Sequence, residues 1–455
     1  MRIHFIAIGG AVMHNLAITL SGKGYNVTGS DDEIYEPARS NLSRHGLLPD
    51  KTGWNPESVT ANIDIVILGM HAREDNPELI RARELGLKIM SFPEYIHEMT
   101  RFKKRIVVSG SHGKTTITAM IMHVFRYLGI KFDFMAGSAL EGYDTMVGLS
   151  DDSVIAVLEG DEYLTSPIDR RPKFHLYMPD IAILNGIAWD HVNVFPTFGN
   201  YVEQFRIFIE KITEGGSLIY YDDDPEVRRL AMASGRKIKK IPYRVHDYIQ
   251  DKNGFQALTA GRVVPMMIFG EHNMQNLSAA KEACMAAGIE EDEFYKAVRS
   301  FTGASKRLEK IHENENGSAY LDFAHSPSKV KATIDAMASR YPGKEIVACL
   351  ELHTFSSLNI DFINQYRGSM DKAAFKFVYF NPSSAAARKL PPLDPSAVRK
   401  AFADDEIAVF DNSGAMFSFI GSMHFISPVF LFMSSGDFDN IDLKALSAGL
   451  LAKKS

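Results

Sequence analysis

The sequence predicts an α/β protein of three domains, built on mostly parallel, doubly wound sheets with helices on both faces. Three observations predict it. Short β-rich apolar runs alternate with helix-patterned segments almost throughout the chain, as strands joined by helical crossovers do. The length of 455 residues suits about three domains at roughly 150 residues each. Two connectors interrupt the alternation, the charged stretch Thr100–Arg105 and the glycine- and charge-rich stretch Phe301–Lys310. They place domains at 1–104, 105–308 and 309–455.

The strand candidates, in order, are IHFIAIGG from Ile3, a run ending in Gly29-Ser30-Asp31, DIVILGM from Asp64, RIVVSG from Arg105, SVIAVLEG from Ser153 and DIAILNG from Asp180. SAYLDFA from Ser318, EIVACLEL from Glu345, KFVYF from Lys376, EIAVF from Glu406 and PVFLFMSSG from Pro428 follow. Helical spacing of apolar residues marks Pro77–Gly86, Pro327–Tyr341 and Asp442–Lys454. Composition is that of a globular chain, 45% hydrophobic and 23% charged. A net charge of −6 and the lack of a strongly basic stretch argue against a nucleic-acid partner. Cys284 and Cys349 sit in apolar contexts, give no disulfide framework and suit a reducing compartment. Met1 leads straight into a strand, where a signal peptide would have an apolar helix, and no apolar run approaches the roughly 20 residues that span a bilayer. A cytoplasmic protein without a membrane segment is expected, with its oligomeric state open.

Val107–Thr116 reads VVSGSHGKTT, an apolar strand running into a Gly-rich loop that ends in Lys-Thr-Thr. Gly110 and Gly113 let the backbone turn N–H groups toward an anion, with Ser111 and His112 between them. Lys114 adds a mobile positive charge, and Thr115, followed by Thr116, can place a hydroxyl on Mg²⁺. A helix expected from Thr115 to about Leu128 aims its positive end at the same spot. The usual phosphate loop has a glycine where this chain has Val108, so a shortened GxxGKTT version is present. These parts predict binding of a nucleoside triphosphate.

Upstream, the first strand ends in Gly9-Gly10, and Asp31 stands at the tip of the second, where it can meet a ribose or base. The three glycines of a dinucleotide fingerprint fall on Ala7, Gly9 and Val12, so a diphosphate other than a nicotinamide cofactor is expected. Downstream, VIAVLEGDE delivers Glu159 at a strand end, followed by Asp161 and Glu162, and a carboxylate there suits a hard cation. Then come Asp190-His191, the helix start His272, Asn273 and Asn276, the pair Lys306-Arg307, and Asp322 with His325. Each of these is weak alone, because Asn and His at helix starts usually cap.

Their order along essentially the whole chain resembles the Mur ligase family. The resemblance implies a Rossmann-like N-terminal domain for a UDP-muramyl substrate, a central ATPase domain with a mostly parallel sheet, and a Rossmann-like C-terminal domain that presents an amino acid or peptide. HFIAIGGAxM, Gly29-Ser30-Asp31 and Glu74–Glu78 resemble the branch whose acceptor is UDP-N-acetylmuramate itself. The resemblance implies that Gly110 to Thr116 wrap the ATP phosphates, with Lys114 on the β/γ oxygens. Thr115 and Glu159 would hold one Mg²⁺, and Glu159 with His191 a second ion. His272, Asn273 and Asn276 would touch the adenosine, and Arg307, Asp322 and His325 would complete the nucleotide site on closure. Gly9, Gly10, Asp31 and His71 would serve the sugar nucleotide, and Ser326, His353, Ser356 and Asn359 the amine. No counterpart of the family's modified lysine is evident after His191.

The implied chemistry is attack of the muramyl carboxylate on the γ-phosphoryl group, giving an acyl phosphate that an amine then opens. Two amines are considered within the branch. The L-alanine-adding members typically carry two adjacent histidines and an arginine-bearing loop on the next strand. This chain has Ser326 after His325, and Glu351–Asn359 contains no arginine. The run Glu162–Phe174 resembles a run of the recycling ligases, which attach the tripeptide L-Ala-γ-D-Glu-meso-diaminopimelate, although Leu164 replaces an acid. The tripeptide is the expected amine and L-alanine the alternative. A nicotinamide oxidoreductase leaves the phosphate loop unexplained, and a non-catalytic nucleotide binder leaves Glu159, His191 and Arg307 unexplained.

Overall fold

The computed structural model describes residues 1–251 and 254–452. The chain forms two compact units. The first takes in Met1–Ile187, Val202–Arg244 and Ser278–Val298, and the second takes in Ala188–Tyr201, Val245–Leu277 and the chain from Arg299 onward. The protein is α/β with mostly parallel sheets, and every apolar run singled out above contains a strand.

In the first unit, a four-stranded parallel sheet runs in the order Asn26–Ser30, Arg2–Ile6, Ile65–Leu68 and Lys88–Ser91. Ile65–Leu68 is buried throughout, as a parallel strand covered on both faces must be. Ile6, Val66 and Leu68 pack with Leu79 and Ala82 of the helix Pro77–Glu84. That helix starts at Asn76, whose side chain accepts from the amides of Glu78 and Leu79. A seven-stranded sheet holds Lys239–Tyr243, Ser217–Tyr221, Ile181–Leu184, Lys104–Ser109, Ile155–Glu159, Asp133–Met135 and Val147–Gly148 in that order. Only its last pair is antiparallel. The phosphate-loop strand Lys104–Ser109 is central and the helix after it spans Lys114–Tyr127, one residue earlier at each end than expected.

Two bonds fix the four-stranded sheet's first helix, Ala11–Gly22, against the edge of the seven-stranded sheet. Thr19 Oγ1 donates to the Val147 carbonyl (2.6 Å), and the Met146 amide donates to Asn15 Oδ1 (3.0 Å). The glycine turn before that helix is thereby held relative to the phosphate loop.

In the second unit, a six-stranded sheet runs Glu309–Asn314, Gly317–Asp322, Pro428–Met433, Glu345–Leu352, Phe375–Phe380 and Ile407–Phe410, antiparallel only at its first pair. Phe430 and Phe432 fill one face with Phe417 and Phe438, while Ala348 and Leu350 meet Val330 and Ile334 of the helix Pro327–Arg340 on the other. A three-stranded antiparallel sheet, Tyr248–Asp251, Gly254–Thr259 and Arg262–Met266, was not predicted. Its outer strands are largely exposed, and Pro265 interrupts the apolar residues of Arg262–Met266. The last helix spans Leu443–Ala452; Lys453 and Lys454 of the expected helix lie outside the described residues. Among the described residues, no helix is long and apolar enough to cross a membrane.

Phe174 is fully buried, stacks on Phe208 at 4.8 Å and meets Phe205 edge-on at 5.5 Å. Phe174→Ala leaves a cavity there and is expected to lower stability by about 3–5 kcal/mol, read from urea unfolding midpoints.

Candidate active site

The strand Lys104–Ser109 ends in a loop whose conformation only glycine adopts easily. Gly110 has φ +118° and Gly113 has φ +66°. A Cβ on Gly110 would lie 2.7 Å from the Asn185 amide nitrogen, so the loop is pressed against the end of the neighbouring strand Ile181–Leu184. Asn185 and Gly186 bind it there. The Asn185 side-chain amide donates to the His112 carbonyl (3.1 Å), and the Ser111 amide donates to the Gly186 carbonyl (3.0 Å). Tyr243 OH in turn donates to Asn185 Oδ1. Sequence reasoning singled out the loop and missed Asn185, since the clamp spans more than seventy residues.

Lys114 and Thr115 open the helix. Lys114 Nζ donates to the Gly110 carbonyl (2.8 Å) and pairs with Glu162 Oε2 (2.7 Å). Burial alone would lower the pKa of this ammonium, but Glu162, with Asp161 and Glu159 beyond it, raises it. Glu159 is 7% exposed and accepts from Thr115 Oγ1 (2.9 Å) and from the Gly137 amide (2.8 Å). A buried carboxylate beside a hydroxyl at a phosphate loop is an oxygen donor set of the kind that hard divalent cations take. No local pattern marks Gly137. A Cβ there would stand 2.5 Å from Glu159 Oε1.

At the other glycine turn, the Gly9 amide donates to Asp31 Oδ2 (2.7 Å). Asp31 is 4% exposed, and burial raises its carboxyl to about 6. Its side chain shapes the turn, with Oδ1 accepting from the Asp32 amide (3.0 Å). Ala7 adopts φ +68° where a dinucleotide fingerprint has its first glycine. Gly10, His71, Lys114 and Glu159 line one cavity of about 320 Å³. Val12, Met13, Met70 and Phe92 give that cavity an apolar wall. The structure thus brings the two glycine turns, 100 residues apart in sequence, to one cleft within a single unit.

The remaining candidates belong to the second unit. His191 has φ +54°, and its amide donates to Asp190 Oδ1 (2.8 Å). Burial alone would raise the Asp190 carboxyl, but His191, Lys329 and His325 hold it well below the usual range. Burial, with Lys329, pushes the His325 imidazole down to about 3, and its Nδ1 lies 2.7 Å from the Phe323 carbonyl. Asp322 accepts from the amides of Leu308 and Ala324, both at 2.8 Å, and from Thr333 Oγ1 at 3.1 Å. The Arg307 guanidinium lies 4.6 Å from the Phe323 ring centre. His272 opens the helix Glu271–Ala287, with its pKa lowered by burial and Asp322 opposing. Asn273 donates to the Phe269 carbonyl (2.8 Å), and Asn276 is 3% exposed. Ser326 caps the helix Pro327–Arg340 without a side-chain bond, and Asn359 accepts from the Asp361 amide as the cap of Ile360–Ile363. His353 Nδ1 lies 3.6 Å from Glu351 Oε1, and Ser356 is buried.

The Mur ligase family catalytic-domain model matches residues 2–104, and the Mur ligase middle-domain model matches residues 108–284. A UDP-N-acetylmuramate–L-alanyl-γ-D-glutamyl-meso-2,6-diaminoheptandioate ligase of Haemophilus influenzae is 30% identical over 362 residues, 77% of this chain and 79% of its own. The chain belongs to the Mur ligase family. A UDP-N-acetylmuramate–L-alanine ligase of Lactiplantibacillus plantarum is 28% identical over 95% of both chains. The crystal structure of a murein peptide ligase from Psychrobacter arcticus superposes with a TM-score of 0.70 over the whole of both chains at 22% identity, which shows a shared fold. As a member of the family, the chain is an ATP-dependent ligase.

Gly137→Ala forces the Glu159 carboxylate away from Thr115 while leaving the strand core untouched. ADP release is expected to fall by up to about a hundredfold while the circular-dichroism spectrum stays that of the folded parent, since small misplacements at a reacting centre carry that cost.

Proposed function

We propose that the chain joins the carboxylate of UDP-N-acetylmuramate to the amine of L-Ala-γ-D-Glu-meso-diaminopimelate in peptidoglycan recycling, in the cytoplasm. The observation that carries the proposal is the shared cleft of the first unit, where Gly10 and His71 face Lys114 and Glu159. A sugar nucleotide seated on the Gly9–Gly10 turn reaches the place where the phosphate loop holds a γ-phosphate. The domain roles follow as 1–104 for the sugar nucleotide, 105–308 for ATP and 309–455 for the amine.

Lys114 would leave Glu162 for the β/γ oxygens, and its ammonium would spread the charge that develops on the transferred phosphoryl group. Thr115 and Glu159 would hold Mg²⁺, which supplies charge neutralisation at the phosphates when bound. The apolar wall of Val12, Met13, Met70 and Phe92 would limit the access of water to the acyl phosphate. The roles that the family resemblance gives His191, Arg307, His272, Asn273, Asn276, Asp322 and His325 toward the nucleotide, and Ser326, His353, Ser356 and Asn359 toward the amine, are part of the same proposal.

The tripeptide is favoured over L-alanine by Ser326 after His325, by a Glu351–Asn359 stretch without arginine, and by the run Glu162–Phe174. Relatives acting on each amine match the chain, so both remain in the test.

ADP and phosphate should form in step with an amide bond and only with a divalent cation present; cleavage to AMP and pyrophosphate would refute the acyl-phosphate scheme. With both amines offered at equal concentration, mass spectrometry should find the tripeptide adduct in clear excess. A preference for L-alanine would move the chain to the alternative. Lys114→Ala and Glu159→Ala should each lower kcat by about two orders of magnitude or more, as expected when a charge-stabilising group leaves a closed site. Activity within a few-fold of the parent would remove that residue from the mechanism.

A further inference from the structure

The cleft of the first unit has a second lysine. After Glu159 the chain makes an excursion that ends at Lys173 and closes on itself. Leu164 bridges Pro172, the Thr165 amide donates to the Arg171 carbonyl (3.0 Å), and the Lys173 amide donates to the Tyr163 carbonyl (3.0 Å). This returns Lys173 to the cleft wall beside Asp161, where Nζ lies 2.5 Å from Asp161 Oδ2. The rings of Phe92 and Tyr163 flank the ammonium at 5.6 and 5.7 Å. One turn further on, Tyr177 lines the same cavity. It is fully buried, and its hydroxyl has no hydrogen-bond partner among the described residues. A buried donor left unpaired is costly, and a ligand oxygen in this cavity would relieve that cost.

Lys114 is tied to the phosphate loop by its bond to the Gly110 carbonyl and, in the function proposed above, serves the β/γ oxygens. Lys173 has one carboxylate partner, Asp161, whose side chain is 37% exposed and stays hydrated when the lysine turns away. Exchange of one carboxylate for another at an ammonium costs little. An acid acceptor entering this cleft meets Glu159 and Asp161, so it needs a cation of its own to enter.

We infer that Lys173, with the Tyr177 hydroxyl, receives the carboxylate of the sugar acid and positions it for attack on the γ-phosphate. This rests on the function proposed above and names the specificity residues of its acceptor site.

Calorimetric titration of the full chain with UDP-N-acetylmuramate and with UDP-N-acetylglucosamine, which lacks the carboxylate, tests it. Lys173→Met should weaken binding of the acid by about 10- to 100-fold, the worth of a hydrogen bond to a charged group, and leave the carboxylate-free sugar nucleotide unchanged. Lys173→Arg should restore most of the discrimination, and Tyr177→Phe should lose part of it. In steady-state assays KM for the acid should rise in Lys173→Met while KM for ATP stays. Equal weakening of both sugar nucleotides, or none, would overturn the inference and leave the ligase intact. Should Lys173→Met fail to fold, Lys173→Gln carries the same comparison. A parent protein that binds no UDP-N-acetylmuramate would overturn the function and this inference together.

Discussion

A carboxylate with 7% of its surface exposed is expensive to bury unless donors surround it, and the first unit is arranged to surround Glu159. Its position is set by the strand Ile155–Glu159, which pairs with the phosphate-loop strand and places Glu159 opposite Val108. One donor comes from Thr115 in the first turn of the helix after the loop, and the other from the Gly137 amide, just beyond the adjacent strand Asp133–Met135. Three consecutive features of the sheet therefore converge on one side chain. The same convergence sets Lys114, because a helix that delivers Thr115 to Glu159 fixes the residue before it.

The shortened loop follows from the same packing. With Val108 as an ordinary buried strand residue, the turn begins later, and within the loop Gly110 and Gly113 take positive φ. Asn185 then does what a longer loop would do for itself, bonding His112 and holding Gly110 at close range. Both ammonium groups at the loop are paired: Glu162 accepts from Lys114 and Asp161 accepts from Lys173. Each ammonium is stored beside a carboxylate that a phosphate or a carboxylic acid can replace.

The parallel strands were readable because burial on both faces writes them as unbroken apolar runs; Ile181–Leu184 and Pro428–Met433 are examples. Some strands at sheet edges carry no such mark, although Ile407–Phe410 does. Glu309–Asn314 and Arg262–Met266 are mostly polar or exposed and are strands only because a neighbour pairs with them. The site divides the same way. The phosphate loop and Glu159 stand out as local patterns, a strand end followed by a particular short run. Gly137, Asn185, Lys173 and Tyr177 matter through what lies opposite them, and no local pattern announces that. Asp31 shows both sides. Its place at a strand tip suggested a ligand contact, and the structure adds a bond from the Gly9 amide to its Oδ2 that no local pattern announced.

Two motifs that looked separate in the sequence, Lys306-Arg307-Leu308 and Asp322 with His325, are one device. Asp322 uses one oxygen on the Leu308 amide and the other on Ala324 and Thr333, tying the segment before the six-stranded sheet to the end of its strand Gly317–Asp322. The Phe323 amide adds a bond to the Lys306 carbonyl (2.9 Å). Lys306 and Leu308 are held at φ +52° and +49°, a conformation that non-glycine residues adopt only when their surroundings impose it. Arg307, between them, is thereby turned onto the Phe323 ring. The strain and the clamp explain each other: Asp322 supplies the bonds that offset the two left-handed residues, and those residues aim the guanidinium. The place of Arg307 thus depends on an aspartate fourteen residues after Leu308, a dependence that neither short run shows alone.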